Sequence, residues 1–124
     1  MIAGRVNTHW EAVVRLAICT PDGAERSFDA IVDTGFNGSL TLPAKEVASL
    51  ALPWRSRGSV VLANGAEEEC DIFAATIIWD GMPRKVLVES AETEPLIGMN
   101  LLRGFELCVQ VKDGGSVTLT PLVE

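Results

Sequence analysis

The sequence has few of the residues that build metal sites and disulfides, and it has fewer basic than acidic residues, 10 against 17. Its 124 residues include one histidine, His9, and three cysteines. The cysteines lie far apart without a Cys-x-x-Cys spacing, and each falls in an apolar run: Cys19, Cys70 and Cys108. We therefore expect buried, reduced thiols, with no metal site and no catalytic thiol. The net charge of -7 argues against a nucleic-acid partner.

Long apolar segments are also missing. The longest apolar run, residues 72–79, is interrupted by Thr76 and is too short to cross a bilayer. The N-terminus lacks the apolar stretch of a secretory signal. The sequence therefore predicts a cytoplasmic protein without membrane contact, folded as one domain over residues 1–124.

Short apolar segments separated by turn residues fill most of the chain. Their lengths and alternation predict about nine strands, among them residues 10–19, 25–32, 40–42, 58–63, 66–73, 72–79, 84–89, 105–111 and 116–120. Two short helices are also predicted. One follows Pro43 and stops at Leu52-Pro53, and the other covers residues 99–103 and ends at Gly104. The pattern indicates an all-β fold with two short helices.

The most informative segment is residues 30–38, Ala-Ile-Val-Asp-Thr-Gly-Phe-Asn-Gly. An apolar strand delivers one carboxylate, Asp33, to a turn, and a fresh apolar segment follows at residues 40–42. About sixty residues later, residues 95–102 read Pro-Leu-Ile-Gly-Met-Asn-Leu-Leu, which is a second apolar run that ends on a glycine. The two spaced motifs together are more specific than either alone.

Asp33-Thr34-Gly35 with the later Ile97-Gly98 segment resembles the active site of retropepsin-like aspartic peptidases (clan AA), of the cellular or prokaryotic type. The resemblance implies a closed-barrel acid-protease fold in which the chain is a single lobe. It also implies a homodimeric aspartic endopeptidase that has no cofactor and no metal and acts on polypeptides. Since the chain has one Asp-Thr-Gly, Asp33 of each subunit would supply half of a carboxylate pair, and Thr34 and Gly35 would support it.

The resemblance further implies which residues bind substrate. These are Phe36, Asn37, Ala63, Asn64, Gly65, Ile97 and Gly98. Asn64-Gly65 predicts a tight hairpin turn that would serve as a flap over the substrate. Phe36 is larger than the residue usual at its position in the family, so we expect a preference for small side chains next to the scissile bond.

One contact that supports the dimer in viral relatives is missing from this sequence. Asn37 and Met99 replace an ion pair common in viral relatives, so the terminal segments 1–6 and 118–123 are candidates for dimer contacts. Pro121 would limit the C-terminal strand to an edge position.

Three alternatives remain open at the level of sequence. The fold can persist as a catalytically silent dimerisation or peptide-binding module, since fold does not imply function. The chain can also be a structural β-barrel in which Asp33 is only a turn residue, and the Asn64-Gly65 hairpin can be an ordinary surface hairpin. The three tryptophans, Trp10, Trp54 and Trp79, are interpreted as core or dimer contacts.

Overall fold

The structure of the chain is a computed structural model, and it describes residues 1–61 and 64–123. That part of the chain contains ten strands and two short helices. The elements in chain order are β1 (Ile2–Val6), β2 (Ala12–Cys19), β3 (Glu25–Val32), β4 (Leu40–Leu42), α1 (Ala44–Ser49), β5 (Trp54–Val61), β6 (Glu67–Trp79), β7 (Met82–Ser90), β8 (Leu96–Ile97), α2 (Met99–Leu102), β9 (Phe105–Val109) and β10 (Ser116–Pro121). The predicted mostly-β architecture with two short helices is confirmed. None of the helices found in the described residues has the length and apolar character to cross a membrane.

The ten strands form one sheet in the order β5-β6-β7-β4-β8-β3-β2-β1-β10-β9, with an additional pairing of β6 with β2. That extra pairing joins Ala17 to Ile78 and Cys19 to Thr76, so the sheet folds back on itself. The end strands β5 and β9 are not paired with each other in the described residues. The predicted closed barrel is therefore not confirmed.

A crossover at the centre of the sheet positions the candidate site. β8 lies between β3 and β4. It runs parallel to β3, with Ile97 opposite Val32, and antiparallel to β4, with Ile97 opposite Leu40. The Thr41 hydroxyl, which is buried, accepts a hydrogen bond from the Leu96 amide at 3.0 Å. The loop that joins β3 to β4 is consequently held at both ends by the same short strand.

The core is built from the inward-facing side chains of alternating strand positions. Those with no measurable exposure are Ile18, Ala30, Leu40, Ile77, Val88, Ile97, Leu101, Val117 and Leu119. Helix α1 and the turn after it bury Val47, Leu50 and Leu52 against this cluster. Burial of these large side chains supplies the main driving force for folding.

The terminal strands are used within the chain. β1 pairs with β2 and with β10, and β10 also pairs with β9. The predicted edge position of the C-terminal strand is therefore wrong. Pro121 is tolerated because it is the last residue of β10, beyond Leu119, which is the last position that β1 covers.

The expectation that the cysteines are buried is also wrong. Cys19 and Cys70 are half-buried and Cys108 is exposed, because the alternation of β9 directs Cys108 away from the core-contacting Leu107 and Val109. Among the tryptophans only Trp79 is in the core, where its ring meets Phe105 edge-on at a centroid distance of 5.7 Å. Trp10 and Trp54 are exposed, so their role as dimer contacts stays a prediction.

Candidate active site

Asp33 stands at the end of β3, where the chain leaves the sheet. Its amide donates to the carbonyl of Ile97 at 2.9 Å, which extends the β3–β8 pairing by one bond. The amide of Gly35 donates to Oδ1 of Asp33 at 2.9 Å, and the amide of Phe36 donates to its carbonyl at 3.1 Å. Oδ2 of Asp33 has no hydrogen bond to any described residue. The loop thus holds one carboxylate oxygen with a backbone N–H and leaves the other available.

The rest of the loop is fastened to the start of α2. The amide of Met99 donates to the carbonyl of Phe36 at 2.7 Å, and the amide of Asn100 donates to the carbonyl of Gly38 at 3.1 Å. The Ser39 hydroxyl donates to Oδ1 of Asn100 at 2.9 Å. Because the first amides of a helix have no partner within it, the loop carbonyls satisfy them and the helix start in turn fixes the loop.

The ring of Phe36 lies against two glycines. A Cβ on Gly38 would be 2.6 Å from Cζ of Phe36, and a Cβ on Gly98 would be 2.5 Å from its Cδ2. A Cβ on Gly98 would also collide with the carbonyl oxygen of Gly38 and lie 2.7 Å from that of Phe36. Both positions therefore require glycine, since the ring and the backbone fill the space that a side chain would need.

A cleft of about 530 Å³ opens beside Asp33 and Thr34. Its apolar wall is formed by Val6, Trp10, Ile31, Val32, Leu96, Leu107, Val109 and Val111. Thr34 is exposed, and its hydroxyl has no hydrogen bond within the part of the chain that the structure describes. Asp33 and Thr34 thus face a largely apolar cleft, also lined by Glu11 and Glu94, that the described residues leave open.

Trp10 is the most unusual residue of that wall. It is 66% exposed and has φ 63°, a left-handed conformation that costs a bulky residue about 1 kcal/mol or more. Asn7 stabilises the turn: its Oδ1 accepts from the amides of His9 and Glu11, and its Nδ2 donates to Glu11 Oε1 at 2.9 Å. The sequence contains no signal that would have placed Trp10 next to Asp33.

A second cleft, of about 790 Å³, begins at Gly38, Ser39 and Asn100 and follows the outer face of β6 and β7. Glu89 lies on its wall, and Oε2 of Glu89 is 3.3 Å from the position that a Cβ on Gly38 would take. Burial raises the pKa of Glu89 above its ordinary value. Sequence reasoning missed this residue, although an acid directly after the apolar run of residues 86–88 is a signal of the same kind as Asp33.

The structure brings together most of the predicted site residues. Asp33 to Asn37 form one loop, and Ile97 and Gly98 lie directly behind it. Asn64 and Gly65 lie at the tip of the β5–β6 hairpin, and no hydrogen bond between described residues joins that tip to the Asp33 loop. Ala63 lies outside the described residues. No cluster of three His, Cys, Asp or Glu side chains that could hold a metal ion is present in residues 1–61 and 64–123.

The two-residue turn that Asn64-Gly65 predicts stays a prediction, because residues 62 and 63, which precede it, lie outside the described residues. The last described pair of the hairpin is Val61 with Glu67. Gly65 does have the expected positive φ, +84°, and the amide of Ala66 donates to Asn64 Oδ1 at 2.9 Å.

The comparisons with known proteins place the fold. No family model matches the sequence, and no curated protein matches it either. Among solved structures, the chain is similar to the crystal structure of a retropepsin-like aspartic protease from Rickettsia conorii, with a TM-score of 0.60 and 13% sequence identity. The similarity covers 98% of this chain and 91% of that one. The chain therefore has a retropepsin-like fold.

Proposed function

We propose that the chain is an aspartic endopeptidase that works as a homodimer, with Asp33 of each subunit in one shared site. The observation that carries the proposal is the combination of an oriented carboxylate, with Oδ1 held by the Gly35 amide, and an uncovered apolar cleft beside it. The retropepsin-like fold supports the same reading. A polypeptide is the expected substrate, and no cofactor is required by the proposal.

The chemistry needs two carboxylates. A water molecule that attacks a peptide carbonyl must lose a proton to a base, while an acid protonates the carbonyl oxygen or the departing amine. Two carboxylates that share one proton perform both roles. One chain contributes only Asp33 at this loop, so a twofold axis beside Asp33 and Thr34 would supply the second.

The fixed backbone of the loop suits this role. Gly35 donates its amide to Oδ1 of Asp33, so the carboxylate is oriented before substrate arrives. The carbonyl of Phe36 is committed to Met99, which keeps the loop from rearranging when a peptide binds. Such preorganisation places the reacting groups without further ordering cost.

The apolar cleft supplies the surface for the second subunit. Val111 is 71% exposed and Trp10 is 66% exposed, and both line the cleft that contains Asp33 and Thr34. A partner that covered these side chains would remove apolar area from water and bring a second Asp33 close. In this proposal the cleft takes the place of the terminal segments 1–6 and 118–123 as the dimer contact. The strands of those segments, β1 and β10, are already paired with each other within the chain.

The decisive experiment is cleavage of an unfolded protein substrate between about pH 4 and pH 7, with the oligomeric state recorded in the same buffers. Asp33→Asn should lower the cleavage rate by about 10³-fold or more without changing the fold or the dimer. Asp29→Asn is the matched control, since Asp29 is an exposed carboxylate on the same strand that meets only Arg15, at 3.4 Å. No cleavage by a folded wild-type dimer would instead favour the silent dimerisation or peptide-binding module.

The dimer is tested by a charge placed in the cleft. Val111→Glu should weaken self-association by at least about tenfold, because the twofold axis would bury two like charges. The cleavage rate should fall in parallel and recover at high protein concentration. Met82→Glu, at the exposed first residue of β7, is the control. Full activity of a monomeric Val111→Glu protein would contradict the shared site.

A further inference from the structure

The cleft that begins at Gly38 is lined by cross-strand pairs on one face of β6 and β7. Ile72 pairs with Glu89, Ala74 with Leu87, and Thr76 with Lys85. Leu87 is 48% exposed although it lies in the middle of a strand, so this face is open to solvent. The small side chain of Ala74 leaves room in the floor of the cleft. Gly38 and Ser39, which belong to the loop after Asp33, line the same cleft as these pairs.

Glu89 is the ionisable group closest to that loop within the cleft. A point at the Cβ position of Gly38 is 3.3 Å from Oε2 of Glu89 and 2.6 Å from Cζ of Phe36. The carboxylate therefore lies against the Gly38 end of the cleft, five residues after Asp33. A carboxylate attracts a cation through an ion pair and charge-assisted hydrogen bonds.

Within the described residues, Glu89 has neither a hydrogen bond nor an ion pair. Two cations, Arg55 and Lys85, also line the cleft. Lys85 is four residues away along β7, which is about 13 Å at the rise of a β-strand. A half-buried carboxylate without a partner is costly, and a ligand that supplies a cation relieves that cost. The pKa of the nearby Cys70 thiol is raised by burial and by the charge of Glu89, and a thiol carries no positive charge in either protonation state, so Cys70 does not neutralise the carboxylate.

We propose that this cleft is a substrate subsite in which Glu89 selects a lysine or arginine side chain of the polypeptide. The inference rests on the proposed peptidase function, and it names a substrate preference for the same site. An extended peptide that passes Asp33 and then Gly38 enters the cleft at Glu89. Its basic side chain meets the carboxylate, and the following residues lie along Leu87 and Ala74.

The first test uses fluorescein-labelled octapeptide pools in which one position at a time is fixed as Lys, Gln or Glu. At about pH 7, the wild-type protein should cleave pools with Lys at one position about tenfold faster than those with Gln, the value expected for a hydrogen-bonded charge. Glu89→Gln should abolish this ratio and Glu89→Lys should reverse it in favour of Glu. Glu106→Gln, which removes an exposed carboxylate on β9, should leave it unchanged. Equal cleavage of the Lys and Gln pools at every position, or a ratio that persists in Glu89→Gln, overturns the proposal.

The second test does not depend on cleavage. Binding of the same pools to the Asp33→Asn protein is measured by fluorescence anisotropy, with and without Glu89→Gln. Tighter binding of the Lys pool that is lost with Glu89→Gln supports the subsite, even if the wild-type protein cleaves nothing and the peptidase function fails. Equal binding of all pools overturns the subsite, even if cleavage is observed and the peptidase function stands.

The pH dependence distinguishes Glu89 from its charged neighbours. Arg55 and Lys85 line the same cleft as Glu89, and the Cys70 thiol lies nearby. Burial raises the pKa of Glu89, so the Lys preference should decline as the pH is lowered from about 7 to about 4, and it should do so at a higher pH than for an ordinary glutamate. If the preference for Lys over Gln is constant over this range, another group is responsible for it, and the role of Glu89 is contradicted.

Discussion

The Asp33 loop and the β5–β6 hairpin are both turns between strands, but they are held in different ways. The Asp33 loop is bonded to β8 and α2 through main-chain groups of Asp33, Phe36, Gly38 and Ser39. The hairpin extends from β5 at the end of the sheet, and β5 has β6 as its single partner strand in the described residues. Beyond its tip, β6 begins with three consecutive exposed acids, residues 67–69. One turn is fixed by tertiary structure, while the other depends on local register.

The comparison teaches where fixed geometry is needed. A carboxylate that activates water must be placed to within a fraction of an ångström, which a loop anchored at both ends can achieve. A hairpin that closes over a peptide must open to admit it, and a strand with one partner opens at lower cost. The proposed site combines the two properties in one chain.

The largest expected effect is that of Gly98→Ala, which attacks the anchored loop directly. The new Cβ would meet two carbonyl oxygens, which cannot move aside without breaking the bonds to α2. We expect a loss of about 3 kcal/mol or more in the free energy of unfolding, measured by urea denaturation. Gly104→Ala is the control: it has φ +88° but no heavy atom near its Cβ, so it should cost about 1 kcal/mol. Equal losses of unfolding free energy in the two variants would contradict the close approach of the carbonyl oxygens to Gly98.

Gly38→Ala should have the next largest effect, about 1–3 kcal/mol, because its Cβ meets the ring of Phe36. The ring is a side chain, so Phe36→Ala should restore most of the loss. The same rescue should fail for Gly98→Ala, whose obstacles include backbone oxygens. A double-mutant cycle measures both couplings, and a coupling below about 0.5 kcal/mol between Gly38 and Phe36 would contradict the packing.

Gly65→Ala tests the hairpin half of the comparison. Its φ of +84° disfavours alanine by about 1 kcal/mol, but nothing surrounds the new Cβ. We expect about fivefold faster amide hydrogen exchange in residues 58–61 and 67–70, with little change in global unfolding. Gly65→Asn should behave nearly as the wild type, since asparagine tolerates this conformation. An equal fall in global stability would mean that the tip unfolds together with the core.

The smallest expected effect is the pH-dependent stability change of Glu89→Gln. Burial raises the pKa of Glu89 in the folded chain, so the folded state binds a proton more tightly than the unfolded state does. Stability then falls as the pH rises from the ordinary glutamate value through the raised one. The Tm of Glu89→Gln minus the Tm of the wild type should therefore be higher at about pH 7 than at about pH 4. Glu106→Gln should show no such trend, and a trend of opposite sign would contradict the raised pKa.

Local sequence patterns determined most of the secondary structure. Strands such as β3 and β4 and the helices after Pro43 and Gly98 follow from apolar alternation and from proline and glycine signals. The Asp-Thr-Gly turn at the end of an apolar strand was also readable, because a carboxylate is uncommon there. The tight turn at Asn64-Gly65 stays a prediction, although Gly65 has the positive φ that such a turn requires.

Contacts between distant segments were beyond the sequence. The partners of β1 and β10 depend on which edges are free once the sheet has assembled, and no local signal specifies that. The same holds for Trp10 beside Asp33 and for Glu89 beside Gly38, since these residues are 23 and 51 positions apart in the chain. The sequence by itself determined the strands and the carboxylate at the turn, because both follow from neighbouring residues. Only the tertiary structure decided what surrounds that carboxylate, because burial and charge depend on which strands become neighbours.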